Sequence, residues 1–217
     1  AAHKDPLVGA CRIGMPPTIG PYLTPLLLPV IKRYLPHITL ELIEGLTDRL
    51  EDRLTDGALD VAILATSPTR TNLTEIVLYD EPFWIAMPND HPLTDQDVVD
   101  VTQIEPGELL LLSDGHCLRD QIYDACKLDR TLTRRNGGPR TQQTSLATIL
   151  ALVGAGEGIT LVPAMSLASG WVTDSGIAVR SEESGTAGRT VRLTLRKAYP
   201  RMALVEKLAD IIAACLP

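Results

Sequence analysis

Residues 109–130 read LLLLSDGHCLRDQIYDACKLDR, which predicts a short buried strand, a turn and an amphipathic helix. The leucine run Leu109–Leu112 is the strand, and Ser113–Gly115 supply residues typical of a turn and of a helix N-cap. His116 and Cys117 then fall at the helix start. There, unpaired backbone N–H groups and the positive end of the helix dipole favour a thiolate over a thiol. The sequence therefore predicts a reactive thiol at Cys117.

Two basic side chains beside this cysteine strengthen the prediction. Arg119 lies two residues further on, and His116 adds positive charge whenever its imidazole is protonated. The surroundings of Cys117 thus differ from those expected of an inert structural cysteine.

A second cysteine, Cys126, follows nine residues later in the same predicted helix. Nine residues of α-helix rise by about 13.5 Å and turn by about 900°, so Cys126 lies on the face opposite Cys117. A disulfide needs Cα atoms closer than about 7 Å, and pairing would therefore require the helix to unwind. Leu118, Ile122 and Cys126 form one apolar stripe, which predicts that Cys126 is buried. The alternative is two cysteines that never pair.

Composition places the chain among aliphatic α/β proteins. It has 217 residues, 45% of them hydrophobic, 4% aromatic and 22% charged, with neither a membrane-span pattern nor a signal peptide. The formal net charge of −7 argues against binding a nucleic-acid phosphate backbone directly. The opening AAHKDP, without an initiator Met, suggests a piece of a longer protein.

The cysteine pattern predicts a reducing cytoplasm, because four scattered cysteines do not resemble a secreted disulfide framework. We expect Cys11 and Cys215 to be structural. No CxxC pair or clustered His/Cys spacing indicates zinc, so no metal is expected. The glycines of the GAGEG segment, residues 154–158, follow a predicted helix instead of preceding one, so they do not indicate a dinucleotide cofactor.

Strands and helices alternate along the first part of the chain. Strands are predicted at 7–14, 38–45 and 61–65, with helices after the first two, and Gly57 is predicted to close the second helix. Residues 73–88 are predicted to form two strands divided at Asp80–Pro82. Thr18 and Thr47 each lie where a predicted strand gives way to a helix. In an open parallel sheet these junctions share the carboxyl edge, where ligands bind. Thr18 serves either as a plain helix cap or as a ligand contact.

The second part repeats the alternation. A polar passage follows residue 88, and a basic stretch with Arg134, Arg135 and Arg140 follows the cysteine segment. Then come a helix from 144, a strand at 159–162, two strands around a polar loop and a final amphipathic helix near 201–215. One side of this last helix carries an apolar stripe of Leu204, Val205, Leu208, Ile211 and Ile212. The basic stretch is either a partner-binding loop or a solvated one. His91 is expected to be a loop residue.

The pattern predicts an α/β protein with a largely parallel sheet in each of two lobes and a cleft between them. The first lobe is predicted to comprise residues 7–88 plus 190–217, and the second, which carries the cysteines, residues 89–189.

Several segments resemble the regulatory domain of LysR-type transcriptional regulators. GHCLRDQ (115–121), with a further cysteine nine positions after the first, is similar to the redox centre of the hydrogen-peroxide sensors in that family. PTIGPYLTPLLLP, LDVAILA and TSLATILALVGAGEGITLVPA are similar to LysR-type effector domains generally, and in the same order. The resemblance covers nearly the whole chain. It implies two Rossmann-like subdomains like those of periplasmic binding proteins.

The resemblance also implies roles and partners. Cys117 would be the peroxide-reacting cysteine and Cys126 its resolving partner, while Thr18, Thr47, His116 and Arg119 would shape the peroxide pocket. It implies homodimerisation through this domain, a tetramer at full length, and RNA polymerase as a further partner. DNA would be contacted only through an N-terminal winged helix-turn-helix absent from this chain, and no membrane would be involved.

These features are compatible with three functions. In the first, peroxide converts Cys117 to a sulfenic acid and then to a disulfide with Cys126, which refolds the segment and reorganises the dimer. In the second, an effector domain binds a small organic anion in the cleft and both cysteines are bystanders. The third is a thiol peroxidase, against which the lack of a CxxC motif weighs, so an enzyme is not expected.

Overall fold

The computed structural model describes residues 5–129, 142–143, 145–167 and 176–215. The chain divides into two compact units, one of Ala1–Tyr79 with Thr190–Pro217 and the other of Asp80–Arg189. The chain leaves the first unit after Tyr79, whereas the sequence analysis predicted this boundary after residue 88. The two differ because the boundary lies inside one long strand, Leu73–Pro88. It returns to the first unit after Arg189.

The first unit is built on a sheet whose strands follow the order β2-β1-β3-β10-β4. Strands β1, β2 and β3 are parallel, and β10 runs antiparallel to β3. Its elements in chain order are β1 (Gly9–Met15), α1 (Gly20–Tyr34), β2 (Ile38–Glu44), α2 (Thr47–Thr55), β3 (Val61–Leu64), the first part of β4 (Leu73–Pro88), most of β10 (Gly188–Arg196) and α6 (Met202–Ala214).

Apolar faces of the helices form the core of this unit. Leu50 and Leu54 of α2 pack with Leu59, Leu64 and Leu73 in one buried cluster. Helix α6 buries its predicted stripe, which consists of Leu204, Val205, Leu208, Ile211 and Ile212. The predicted stop of α2 is confirmed, since the helix ends at Thr55 and Gly57 has a φ of 73°.

Arg201, the N-cap residue of α6, fixes the approach to β1. Its guanidinium donates hydrogen bonds to the carbonyl oxygens of Pro6, Val8 and Ala10, at 2.9, 3.2 and 2.7 Å. A single side chain thus binds three alternate carbonyls, two in the turn before β1 and one in the strand itself.

The second unit is a mixed structure around the remainder of β4. Strands β8 and β9 both pair with β4 in antiparallel fashion, β5 runs parallel to β9, and β6 runs parallel to β7. Its further elements are β5 (Val98–Val99), β6 (Leu111–Leu112), α3 (Cys117–Ala125), β7 (Gln142–Gln143), α4 (Leu146–Gly154), β8 (Thr160–Pro163), α5 (Ala164–Leu167) and β9 (Ile177–Glu182). The α/β class is confirmed, although the sheet is more antiparallel here than the sequence indicated.

Strand β4 is one continuous strand, so the prediction of two strands divided at Asp80–Pro82 is wrong. Its antiparallel ladder to β8 starts at Phe83 and that to β9 at Trp84. Pro82 precedes both ladders, and its missing N–H therefore removes no bond from either. The start of β10 passes close by at Gly188, where a β-carbon would lie 2.7 Å from the carbonyl oxygen of Glu81.

A buried ion pair lies next to this crossing. The Nε atom of Arg189 is 2.8 Å from Oε2 of Glu81, and both side chains are almost fully buried. Oε1 of Glu81 accepts a hydrogen bond from the backbone N–H of Met165 at 2.8 Å. The pair is therefore satisfied on both carboxylate oxygens, as a buried charge must be.

Candidate functional site

Helix α3 begins as predicted, at Cys117. Strand β6 is shorter than expected and contains only Leu111–Leu112, while Leu109 forms an isolated parallel bridge to Ile159. Gly115 has a φ of 93°, a conformation that favours glycine, and makes the turn. The N-cap residue is His116 rather than one of the three residues before it, and no side-chain cap bond is made.

Cys117 is half-buried in the first turn of α3. The backbone N–H groups of a first helical turn have no partner within the helix, and the helix dipole is positive there. The thiol thus occupies the position at which a helix best stabilises an anionic sulfur.

His116 is buried, with 7% of its surface exposed. Burial lowers the pKa of its imidazole below the ordinary value of 6.5, because the interior disfavours the charged form. At neutral pH the ring is therefore uncharged. It offers one N–H donor and one nitrogen acceptor beside Cys117, but not the positive charge that the sequence allowed for.

Arg119 is directed back into the loop that precedes the helix. Nη1 donates a 2.9 Å hydrogen bond to the carbonyl oxygen of Leu112, and Nη2 lies 3.2 Å from Oδ1 of Asp114. The guanidinium carbon is 5.4 Å from the centre of the Tyr123 ring. These contacts tie β6, the turn and α3 together, so Arg119 fixes the position from which Cys117 projects.

Cys126 lies at the other end of α3, as its C-cap residue, with 4% of its surface exposed. Burial, and to a lesser extent the nearby carboxylate of Glu182, raise the pKa of its thiol to about 11. Leu118 and Ile122 are buried on the same stripe, so the predicted burial of Cys126 is confirmed.

The end of the helix has an unusual backbone. Lys127 has a φ of 52° and is the one non-glycine residue with positive φ in the part of the chain that the structure describes. Its N–H donates to the carbonyl oxygen of Asp124 at 3.2 Å, and the N–H of Leu128 donates to that of Tyr123 at 3.0 Å. This is a Schellman motif in which lysine occupies the position that usually belongs to glycine.

A cavity of about 420 Å³ lies beside this helix end, within the second unit. Asp124 and Lys127 line it from the α3 side, and Glu182 at the end of β9, with Ser184 and Thr186 of the following loop, lines the other side. Burial alone would raise the pKa of Glu182, but hydrogen bonds from Ser184, Ala187 and Thr186 lower it below its usual value. Its carboxylate is thus held in the charged form.

The other two cysteines have the structural character that was predicted for them. Cys11 is fully buried in β1, and burial raises the pKa of its thiol to about 12. The Sγ atom of Cys215 lies 3.8 Å from the carbonyl oxygen of Leu26. All four cysteines belong to the described residues, and none of them forms a disulfide.

Both threonines lie at one edge of the first unit. Thr18 is 2% exposed in the turn before α1, and Thr47 is the first residue of α2. The N-cap residue of α1 is Ile19, so the interpretation of Thr18 as a plain cap is wrong. The Oγ1 atom of Thr47 is buried and has no hydrogen-bond partner in the structure. A buried hydroxyl in this state favours a bound polar group.

The predicted site residues thus fall into three groups. His116, Cys117 and Arg119 are together at the start of α3, Cys126 is at its end, and the two threonines belong to the first unit. Arg134, Arg135 and Arg140 lie outside the described residues.

Two further features escaped the sequence reasoning. Nothing in the local sequence predicts a left-handed backbone at Lys127, because such a position is normally recognised by a glycine. The carboxylate of Glu44 packs over Gly20 at the start of α1. The glycine could have indicated that another group approaches the backbone closely there.

His91 lies in a loop, as expected, where its Nδ1 accepts a 3.2 Å hydrogen bond from the N–H of Leu93. Among the described residues, no three His, Cys, Asp or Glu side chains come together in a group that suits a metal ion. Over the same residues, every helix is too short or too polar to cross a bilayer.

Comparison with known proteins defines the family. The model of the LysR substrate binding domain matches residues 4–216, and the chain belongs to this family. It is similar to the reduced form of the OxyR regulatory domain from Pseudomonas aeruginosa, with 34% identity and a TM-score of 0.87, over 97% of this chain and 100% of that one.

Two other relatives extend the comparison. The probable hydrogen peroxide-inducible genes activator of Mycobacterium leprae is 36% identical over 212 residues, which are 98% of this chain and 67% of that protein. An H2O2-bound cysteine-to-serine mutant of Corynebacterium glutamicum OxyR is 34% identical, with a TM-score of 0.86, over 96% of this chain and 65% of that one. The chain spans about two thirds of the length of the curated relatives it matches.

Proposed function

We propose that this chain is the regulatory domain of a transcription regulator that senses hydrogen peroxide through Cys117. The observation that carries the proposal is the contrast between two thiols on one helix. Cys117 is half-exposed at the N-terminus of α3, and Cys126 is buried at its C-terminus. One position favours reaction with an oxidant, and the other stores a thiol until the first has reacted.

The chemistry proceeds in two steps. The Cys117 thiolate attacks the nearer oxygen of peroxide, the O–O bond breaks, and after protonation a sulfenic acid and one water result. The sulfur of Cys126 then attacks the sulfenic sulfur, so that a disulfide forms and the sulfenic oxygen leaves as a second water. The two cysteines are together oxidised by two electrons and one peroxide is reduced to two waters.

Four residues are proposed to shape the peroxide pocket, three by contact with the ligand and one by positioning. The neutral imidazole of His116 and the hydroxyls of Thr18 and Thr47 supply hydrogen bonds to a small uncharged ligand, and the unpartnered Oγ1 of Thr47 supports this role. Arg119 acts through its bonds to Leu112 and Asp114, which hold the start of the helix in place.

The disulfide makes the reaction a conformational switch. About 13.5 Å of helical rise separates positions nine residues apart, whereas a disulfide needs Cα atoms within about 7 Å. Helix α3 must therefore unwind, which moves Leu118 and Ile122 out of their buried positions. In the full-length protein this change would reorganise a homodimer or tetramer and, through an N-terminal DNA-binding domain, alter contacts with DNA and RNA polymerase.

Mass spectrometry after one equivalent of peroxide tests the proposal. We expect a Cys117–Cys126 crosslinked peptide in the wild-type chain, and a stable Cys117 sulfenic acid, trapped by dimedone, in Cys126→Ser. Cys11 and Cys215 serve as internal controls and should stay reduced. A product that stops at Cys117 sulfinate in the wild-type chain, or no reaction at all, contradicts the switch.

Turnover separates a sensor from a thiol peroxidase. A sensor consumes about one equivalent of peroxide per chain and then waits for reduction. With excess peroxide and thioredoxin, sustained rapid consumption would identify an enzyme instead.

A further inference from the structure

The cavity of about 420 Å³ in the second unit lies on the same face of helix α3 as Cys117. Gln121 and Asp124, which line it, come four and seven residues after Cys117. Positions i, i+4 and i+7 of an α-helix share one face, so the cavity adjoins the two turns that follow the cysteine on that face. Cys126 belongs to the opposite face, where it is buried.

A disulfide between the two cysteines has to form on the face that Cys117 occupies, because the first turn of α3 is held in place. The buried guanidinium of Arg119 donates a 2.9 Å hydrogen bond to the carbonyl oxygen of Leu112. Cys126 must therefore cross from the buried face to the cavity side. The helix must also shorten by about 6.5 Å, which is more than one turn.

The bonds that end α3 are confined to its last turn. The N–H of Lys127 donates to the carbonyl oxygen of Asp124, and the N–H of Leu128 to that of Tyr123. These bonds close around a residue with a φ of 52°. The last turn can therefore be released without breaking them in any other element.

The opposite walls of the cavity keep their shape by bonds of their own. In one wall the carboxylate of Asp100 accepts a 2.8 Å hydrogen bond from the N–H of Thr102. In the other, the carboxylate of Glu182 accepts a 2.9 Å hydrogen bond from the N–H of Ser184. The parallel pairing of β5 with β9 joins the two walls. Because these bonds do not involve α3, the walls can stay in place while the helix end moves.

We propose that this cavity is the space into which the last turn of α3 moves when Cys126 bonds to Cys117. The inference rests on the proposed peroxide-sensing function and adds to it a place for the refolded segment. Cavities of about 300–1,000 Å³ accommodate small-molecule ligands, so 420 Å³ is room enough for the side chains of one displaced turn. The buried face of α3 meets a close-packed interior, which does not take up an extra turn without strain.

Filling the cavity tests the proposal. Thr102→Trp and Thr186→Trp place an indole on different walls. We expect disulfide formation to slow at least about tenfold in each, because the displaced turn then overpacks the cavity. Formation of the Cys117 sulfenic acid, which needs no movement of the helix end, should keep its wild-type rate.

Two control variants separate bulk from other effects. Gln103→Trp adds the same indole at an exposed neighbour of Thr102 that lies outside the cavity lining. Thr102→Ala removes the hydroxyl and adds no bulk. Both should form the disulfide at the wild-type rate. Circular dichroism and thermal unfolding establish that each variant is folded, and Thr186→Trp decides the matter if Thr102→Trp does not fold.

The two steps are measured separately. Dimedone trapping in a Cys126→Ser background gives the rate of sulfenic acid formation, and mass spectrometry of alkylated samples gives the rate of crosslinking. The thiol oxidant diamide produces the same disulfide without peroxide, since it accepts the two electrons itself. Crosslinking is therefore followed with each oxidant in turn.

Equal crosslinking rates in Thr102→Trp, Thr186→Trp and Gln103→Trp would overturn the proposal. An equal slowing of both steps in the filled variants would overturn it too, because the cavity would then act on Cys117 itself. A wild-type chain that diamide crosslinks and peroxide does not would reject the peroxide-sensing function, and the diamide rates would still decide the role of the cavity. A chain that neither oxidant crosslinks would reject both.

Discussion

The two ends of helix α3 present the same chemical group in opposite surroundings. At the N-terminus Cys117 is half-buried, next to an uncharged imidazole and the positive end of the dipole. At the C-terminus Cys126 is buried, lies near the carboxylate of Glu182, and has a thiol pKa raised to about 11. One end of the helix thus offers its dipole to a thiolate, and the other end keeps its thiol protonated.

This difference teaches that position along a helix assigns chemical roles. The two cysteines belong to one short helix and its C-cap. The backbone also differs between the two ends of this helix. The first turn is tied to β6 by Arg119, while the last turn ends in a strained lysine. The end that carries the first thiol is therefore tied to β6, and the end that carries the second holds a residue in a less favourable backbone conformation.

Replacement of the first thiol should have the largest effect. At pH 7 only about one in 10⁴ of the Cys126 thiols is ionised if its pKa is about 11. An ordinary cysteine is ionised to about 1% at pH 7, so in Cys117→Ser we expect peroxide oxidation of thiols to slow at least about a hundredfold, measured by mass spectrometry of quenched samples. Rapid formation of a Cys126 sulfenic acid in this variant would remove the asymmetry between the two ends.

Loss of Arg119 should come next. Arg119→Ala leaves the carbonyl oxygen of Leu112 without its hydrogen bond and removes a buried guanidinium, so the free energy of unfolding should fall by about 3 kcal/mol in urea titrations. Asp114→Asn is the control. Because the Asp114 side chain is 67% exposed, its ion pair with Arg119 should contribute less than about 1 kcal/mol. Equal losses in both variants would show that Arg119 acts through its charge pair alone.

The buried thiol predicts a dependence of stability on pH. The pKa of Cys126 rises from 9.0 to about 11 on folding, so the unfolded chain loses this proton first. Its contribution to stability is complete below pH 9 and is lost as the pH rises towards 11, amounting to about 2–3 kcal/mol. The measurement is urea unfolding from pH 8 to 11 in the wild type and in Cys126→Ala. The difference between their slopes of unfolding free energy against pH separates the contribution of Cys126 from that of Cys11. Parallel slopes would contradict the prediction.

Relief of strain at the other end should have the smallest effect. Lys127→Gly keeps the Schellman motif without the cost of a side chain at positive φ, and should stabilise the reduced protein by about 1 kcal/mol. Since α3 must open before the disulfide forms, the same variant should form the crosslink about fivefold more slowly. Lys127→Ala removes the ammonium group but retains the strain, so it should show neither effect. A similar gain in both variants would assign it to charge.

The order of elements was predictable because periodicity reports burial directly. The stripe of Leu204, Leu208 and Ile211 in α6, and Gly57 after α2, placed those helices correctly. The interpretation of Pro82 as a break was wrong, because a sequence does not reveal that the ladders of β4 with β8 and β9 begin only after the proline. The partners of a strand are set by distant residues.

The sequence predicted where the candidate site residues lie along the helices and strands. Cys117 begins its helix and Thr47 begins another, as their neighbours indicated. The neutral state of His116 was not predictable, because it depends on how deeply the folded chain buries the ring. Lys127 could not be identified either, since its left-handed backbone follows from the packing of the helix end. The proposed roles of all six site residues, including the two cysteines, stay predictions.

Arg201 has a consequence for the alignment of the sheet. A one-residue slip of β1 against β2 would turn every buried side chain to the wrong face, so hydrophobicity forbids it. A two-residue slip keeps each side chain on its own face, and the apolar pattern alone does not exclude it. If β1 made that slip while α6 stayed in place, the three carbonyls bound by Arg201, at Pro6, Val8 and Ala10, would all be displaced. One guanidinium thus fixes β1 along its own direction against α6, and the pairing of Gly9 with Ile38 is made from that position.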